Sequence, residues 1–209
     1  MILNVKNLTL CRNQQAVISD LNFTITDQQK FFLQGEIGTG KSTLLLAILG
    51  FVPIHSGEIE LFGTSCKTEA DFEPWRGTVG ICFQNADDQL FGPTVLDDVA
   101  FGCLNQGKNK KEAYEIALNQ LQQLGIEHLK DRPVNLLSGG EKNFTALAGV
   151  LAMQPKMLLL DEPTNGLDAK NKAKLTALLK ALPLPMLIAS HDQEFCDQLA
   201  DKVLHLTKS

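Results

Sequence analysis

The 209-residue chain is 44% hydrophobic and 21% charged, with a formal net charge of −5, an ordinary globular composition that can bury a sizeable core. The acidic balance gives no electrostatic reason to expect a nucleic-acid partner. A membrane-spanning helix needs about 20 apolar residues, whereas the longest apolar run, 44–52, contains Gly50 and stops at Pro53, so no direct membrane insertion is expected.

Residues 1–6 alternate like a strand and lack the basic, apolar and cleavage segments of a secretory leader. Strand-like runs follow at 3–8, 16–18, 21–25 and 30–34, separated by polar turns at 13–15 and 26–28. A glycine-rich loop then leads into an apolar helix over 42–49. Beyond it, helical and strand-like segments alternate, the pattern of parallel strands joined by crossover helices. The later strands are expected at 79–83, 157–160, 186–189 and 202–206.

The stretch from about 86 to 134 is rich in polar helix formers. Over 110–124, Tyr114, Ala117, Leu118, Leu121 and Leu124 form one stripe of a packed amphipathic helix, with Gly125 as its stop. Residues 105–111 read as a solvated loop. No linker, repeat or low-complexity tract divides the chain. A single domain over 1–209 is therefore expected, with an α/β core at 1–85 and 155–209 and a helical subdomain inserted at about 86–154. Cys11, Cys66, Cys82, Cys103 and Cys196 are odd in number and scattered, as reduced cytosolic thiols would be.

Gly35-Glu36-Ile37-Gly38-Thr39-Gly40-Lys41-Ser42 fits G-x-x-x-x-G-K-[ST] between a strand and a helix. Glycines let backbone N–H groups approach phosphate, and the following helix adds its positive N-terminal end. Lys41 can neutralise β/γ-phosphate charge, and Ser42 can offer a hydroxyl to Mg²⁺. With Thr43, these residues form the candidate nucleotide-binding segment. The second half is Met157-Leu158-Leu159-Leu160-Asp161-Glu162, an apolar strand ending in two carboxylates. Such an ending is by itself an ordinary strand-to-turn boundary. Beside a phosphate loop, Asp161 suits Mg²⁺ and Glu162 suits polarisation of an attacking water.

Between these halves, Leu137-Ser138-Gly139-Gly140-Glu141 resembles the signature of ABC (ATP-binding cassette) ATPases. The other motifs keep the family's order: the Q-loop at Gln84, the D-loop over 165–168 and a switch histidine at His191. The resemblance covers essentially the whole chain. It implies a P-loop core of mixed sheet with flanking helices, an N-terminal antiparallel β region and an inserted helical subdomain. It also implies ATP hydrolysis with ATP and Mg²⁺. Catalytic roles fall on Glu162, His191, Gln84 and Lys41, and metal-binding roles on Ser42, Gln84 and Asp161.

Read locally, Ser138 and Glu141 are a capping box for a helix through Phe144, Leu147, Ala148 and Leu151. The resemblance instead turns Ser138, Gly139, Gly140 and Glu141 toward nucleotide on a second subunit, so hydrolysis would require a head-to-tail pair. Asp168 serves both as a helix cap and as a nucleotide-site residue in that arrangement. His191 alone reads as a structural or solvated histidine; the resemblance gives it the γ-phosphate and the attacking water. Three departures stand out. Ile37 replaces a frequent Asn, no aromatic stands near Cys11 or Arg12 where the family stacks a ring on adenine, and Lys142-Asn143-Phe144-Thr145 replaces a more basic run.

Cys82-Phe83-Gln84-Asn85-Ala86-Asp87-Asp88-Gln89-Leu90-Phe91, Pro93-Thr94-Val95, Asp98-Val99-Ala100-Phe101-Gly102 and Asp131-Arg132-Pro133 are similar to energy-coupling factor ATPases of the cobalt/nickel type. That resemblance implies a transmembrane coupling protein, a small substrate-binding membrane protein and a peripheral position on the inner face of the cell membrane. The ending on a strand without a further domain favours a homodimer. Nickel or cobalt is the leading cargo, with biotin or another vitamin as the alternative. His55, His128 and His205 form no metal site by their spacing. A soluble ABC ATPase or an ATP-gated regulatory subunit is the rival reading.

Overall fold

The computed structural model describes residues 1–13 and 15–207; residue 14, within the turn expected at 13–15, lies outside them. Among the described residues the order is β1 (Leu3–Arg12), β2 (Gln15–Ile25), β3 (Lys30–Gln34), α1 (Lys41–Ile48), β4 (Ile54–Leu61), β5 (Thr64–Cys66), α2 (Glu69–Phe72) and β6 (Val79–Cys82). The chain continues through α3 (Val95–Asn105), α4 (Lys110–Gln123), α5 (Gly139–Ala152), β7 (Met157–Asp161), α6 (Ala169–Ala181), β8 (Met186–Ala189), α7 (Gln193–Leu199) and β9 (Lys202–His205). The expected mixture of strand directions is present but partitioned. One sheet, ordered β2-β1-β4-β5, is antiparallel, and the other, β6-β7-β8-β3-β9, is parallel.

The central parallel strands β3, β7 and β8 are buried on every residue because both faces are covered, and period-2 alternation sends successive side chains to opposite sides. Phe31, Leu33, Leu159 and Leu187 pack with Leu44, Leu45 and Ile48 of α1 and with Leu3 and Leu10 of β1. Phe32, Leu158, Leu160 and Ile188 face the other way, onto Val99, Leu147, Leu175 and Phe195 of α3, α5, α6 and α7. Each such side chain is fully or nearly fully buried, which contributes about 1.5–3 kcal/mol relative to exposure. Gly80 has a steric purpose here. A Cβ on it would lie 2.4 Å from Val150 Cγ1, so the missing side chain lets α5 seat directly on β6.

Two sequence expectations differ from the fold. The runs 16–18 and 21–25 form one strand, because the polar break between them is a bulge rather than a turn. Asp20 and Asn7 both take positive φ there, and the register with β1 shifts between Val5 and Leu8 and between Leu8 and Leu10. Asn7 Nδ2 donates to Asp20 Oδ1 at 2.7 Å, and Asn22 Oδ1 accepts the Asn7 N–H at 2.8 Å, so the bulge satisfies its own polar groups. Strands β4 and β5 were not expected. Ser56 and Gly57 interrupt the apolar alternation, and it is pairing with β1 that holds β4 extended.

In the helices, α4 buries Ala117, Leu121 and the following Leu124 as expected, and adds Ala113. Gly125 follows at φ +64°. All five cysteines are free thiols, and burial pushes Cys82 up to about 12. Among the described residues no helix is long and apolar enough to cross a membrane.

Candidate nucleotide site

The site forms where β3 hands over to α1. Gly40 is the helix N-cap at φ +91°, and a Cβ there would come within 3.0 Å of Ile18 Cγ1 and 3.3 Å of the Val17 carbonyl. Only glycine fits that conformation and that gap. The first turn of α1 carries no acidic residue and no side-chain cap, so its amides and the positive helix end remain available to an anion. Thr39 is turned inward, its hydroxyl donating to the Glu36 carbonyl at 3.0 Å. Unlike its neighbours in the loop, Thr39 does not line the cleft.

Lys41 is buried, and its ammonium folds back over the loop. It donates to the carbonyls of Gly35 at 2.7 Å and Glu36 at 3.2 Å, and lies 3.9 Å from Glu162 Oε1. These contacts hold the positive charge at the floor of the site, where a phosphate would replace them with stronger charge-assisted bonds.

The carboxylates arrive on β7, separated from β3 in the sheet by β8 alone. Asp161 is 7% exposed, and its Oδ1 is buried without a hydrogen-bond partner. Burial raises its pKa above the ordinary Asp value, Glu162 adds to the rise, and a hydrogen bond from Ser42 and the charge of Lys41 oppose it. A buried carboxylate oxygen without a partner is costly. Together with the Ser42 hydroxyl it forms a hard oxygen donor set suited to Mg²⁺.

Glu162 takes φ +46°, a left-handed backbone that an ordinary side chain rarely adopts and that is enriched at functional sites. Its N–H donates to the Ala189 carbonyl at 2.8 Å, fixing the strand exit against β8. The next residues on β8's side are Ser190 and His191. The His191 N–H donates to Glu162 Oε2 at 3.2 Å, and its ring Nδ1 stands 2.7 Å from the same oxygen. The imidazole remains 70% exposed, so its far edge faces the opening.

These residues line one cleft of ≈ 600 Å³, with Gly35, Glu36, Ile37, Gly38, Gly40, Lys41, Ser42 and Thr43 on one side and Gln84, Asp161, Glu162 and His191 on the other. Arg12 of β1 and Val17 of β2 also line it. Neither was singled out from sequence as a contact residue, because a lone arginine or valine in a strand carries no motif. A second cavity of ≈ 680 Å³ shares Ser42, Gln84 and Asp161 and extends past Phe83 and Asn85 to Asp88 and Asn165.

Ser138, Gly139, Gly140, Glu141 and Asp168 do not line this cleft. They are instead well-made helix starts. Glu141 Oε2 accepts the Ser138 N–H at 2.7 Å, closing the capping box, and Arg132 reaches Glu141 Oε1 at 2.9 Å. Hydrogen bonding from the Ser138 backbone and hydroxyl holds Glu141 below the usual carboxylate range. Asp168 accepts the Asn171 N–H at 2.7 Å to cap α6.

A glycine loop over a helix start, facing two carboxylates across the same parallel sheet, defines the P-loop class of nucleoside-triphosphate-binding proteins. Residues 18–165 match the family model "ABC transporter". The chain belongs to that family as an ATP-binding protein, an ATPase that takes ATP with Mg²⁺.

Among similar proteins, an uncharacterized ABC transporter ATP-binding protein of Haemophilus influenzae is 65% identical over 98% of this chain and 94% of its own length. The cobalt import ATP-binding protein CbiO of Rhodobacter capsulatus is 42% identical over 89% of this chain and 68% of its own. The solved structure of cbiO1 from Clostridium perfringens, part of the transporter complex cbiONQ, superposes with a TM-score of 0.87 at 34% identity, over 99% of this chain and 84% of that one.

Proposed function

We propose that this chain is the ATP-hydrolysing subunit of an energy-coupling factor type importer, with nickel or cobalt as the leading cargo. The observation that carries the ATPase role is the contact of His191 with Glu162 at the mouth of a cleft floored by Lys41. In this reading the loop from Gly35 to Thr43, Thr39 excepted, cradles the triphosphate, and Lys41 turns from its own loop carbonyls to the β/γ-phosphate oxygens. Glu162 accepts the proton of the attacking water. His191 orients that carboxylate and meets the γ-phosphate, and Gln84 contacts the water. Ser42 and Asp161, with Gln84, would hold Mg²⁺, which would supply charge neutralisation at the phosphate oxygens.

Because Ser138 to Glu141 and Asp168 lie outside the cleft of their own chain, they would complete the cleft of a second copy in a head-to-tail pair. The same reading takes about 86–154 as a helical subdomain within a core of 1–85 and 155–209. Similarity to a cobalt import ATP-binding protein and to a subunit of the transporter complex cbiONQ supports a cytoplasmic subunit docked on a transmembrane coupling protein and working with a small substrate-binding membrane protein.

The test is uptake of labelled nickel, cobalt and biotin in source cells carrying Glu162→Gln in place of the native residue. Selective loss of one cargo would support the import role and identify the substrate. Normal entry of all three would overturn the metal and vitamin reading and leave an ABC ATPase of other cargo.

A further inference from the structure

Strand β6 is an edge of the parallel sheet, so the N–H and C=O groups on its free side need partners other than a strand. One side chain supplies partners for two of them. Gln89 Oε1 accepts the Phe83 N–H at 3.2 Å, and Gln89 Nε2 donates to the Ile81 carbonyl at 3.2 Å. A C=O of one residue and the N–H two residues on is the pair that a neighbouring strand would engage. The carboxamide stands in for that strand, using its one acceptor and one donor together. Gln84 is the next residue beyond this lock and lines the nucleotide cleft.

The turn that carries Gln89 is fastened on its other side to the helix bearing Ser138. Asp87, in the turn Ala86–Asp88, places Oδ1 2.6 Å from Lys142 Nζ, and Lys142 lies in the first turn of α5. Asn143, the next residue, donates through Nδ2 to the Asn165 carbonyl at 3.4 Å, three residues after Glu162. Lys142 and Asn143 belong to the segment that departs from the family's basic run, and neither lines the cleft. They tie the start of α5 to the segments that follow Gln84 and Glu162, two residues on the same side of the cleft.

We propose that Gln89 and the Asp87–Lys142 pair are positioning residues that couple the loop of Gln84 to the N-terminal end of α5. A shift of Gln84 toward bound nucleotide must either break the Gln89 lock or carry the 86–88 turn with it. A carried turn pulls Lys142, and with it the helix start at Ser138. The proposal deepens the ATPase reading and rests on it, since the coupled event is turnover at Glu162.

The test uses the full chain, with MgATP affinity read by a fluorescent ATP analogue and kcat read by phosphate release. Gln89→Leu removes both bonds, and Gln89→Glu keeps the acceptor but loses the donor to Ile81. Each is expected to lower kcat about tenfold while nucleotide affinity stays within about twofold of native, the split of a residue acting on turnover rather than binding. Asp87→Lys and Lys142→Asp should each lower kcat about threefold, and the double exchange should recover most of the loss, as a direct pair requires.

Native kcat in the Gln89 variants would overturn the proposal, as would losses of affinity and melting temperature parallel to the loss of rate. A double exchange no better than its single members would remove the Asp87–Lys142 arm. A native chain that binds MgATP without turnover would instead overturn the ATPase reading beneath it, so the two failures are distinct.

Discussion

His191 Nδ1 lies 2.7 Å from Glu162 Oε2, and the backbone N–H of the same histidine donates to that oxygen at 3.2 Å. The two residues are 29 apart in sequence and meet because β7 and β8 are adjacent, with Asp161 in register with Ala189. Glu162 is therefore held from its backbone and from its carboxylate at once. A general base needs that geometry before its proton affinity matters.

Removal of either partner should separate binding from chemistry. Glu162→Gln is expected to keep MgATP affinity and lose nearly all turnover. His191→Ala should keep affinity within a few-fold and lower kcat by about a hundredfold, the low end of general-base effects. Single-turnover hydrolysis with prebound ATP checks both. Ordinary turnover in Glu162→Gln would end its assignment as base.

Lys41→Ala should weaken MgATP binding by roughly ten- to a hundredfold, since a hydrogen bond to a charged group contributes about 1.5–3 kcal/mol. In the nucleotide-free protein the same change leaves the Glu162 carboxylate without a cation 3.9 Å away. Titration with a fluorescent ATP analogue measures the first effect, and unchanged affinity would remove Lys41 from the phosphate site.

Asp161 gives a pH-dependent prediction. Its folded pKa is raised above 3.8, chiefly by burial, so the folded chain holds this proton more tightly than the unfolded chain. Its contribution to stability therefore falls as pH rises from the unfolded value through the raised folded value, and stays lost at neutral pH. Asp161→Asn removes the buried charge and should raise Tm at pH 7 by about 2–4 °C, the shift for ~1 kcal/mol in a chain of this size. The gap should narrow as pH approaches 4. The same variant should lose the Mg²⁺ dependence of its nucleotide affinity. Calorimetry across pH and binding with and without Mg²⁺ read the two effects.

At Gly80 the prediction is purely steric. Gly80→Ala places a methyl 2.4 Å from Val150 Cγ1 and should destabilise the fold by about 1–3 kcal/mol through overpacking. A lower urea midpoint with an unchanged slope is the expected reading.

Much of the site was legible because short-range chemistry writes it in short segments. A phosphate loop needs its glycines, lysine and serine in consecutive positions, and a strand buried on both faces reads as an unbroken apolar run, as in 157–160. The capping box of Ser138 and Glu141, and the stripe of Tyr114, Ala117 and Leu121, are likewise local patterns. What was not legible depends on partners distant in the chain. Strand β4 exists because β1 pairs with it across Gly57, and Arg12, at the end of β1, lines the cleft together with residues of the phosphate loop far along the chain.

The amino-acid sequence by itself determined which residues can hold phosphate, metal and water, because those capacities reside in side-chain type and close spacing. Only the tertiary structure decided that His191 grips Glu162, that Asp161 keeps an unpartnered oxygen, and that Gln89 closes the edge of β6. Each of these follows from strand order and register. Those are set by burying two apolar faces at once rather than by any one segment's own preference.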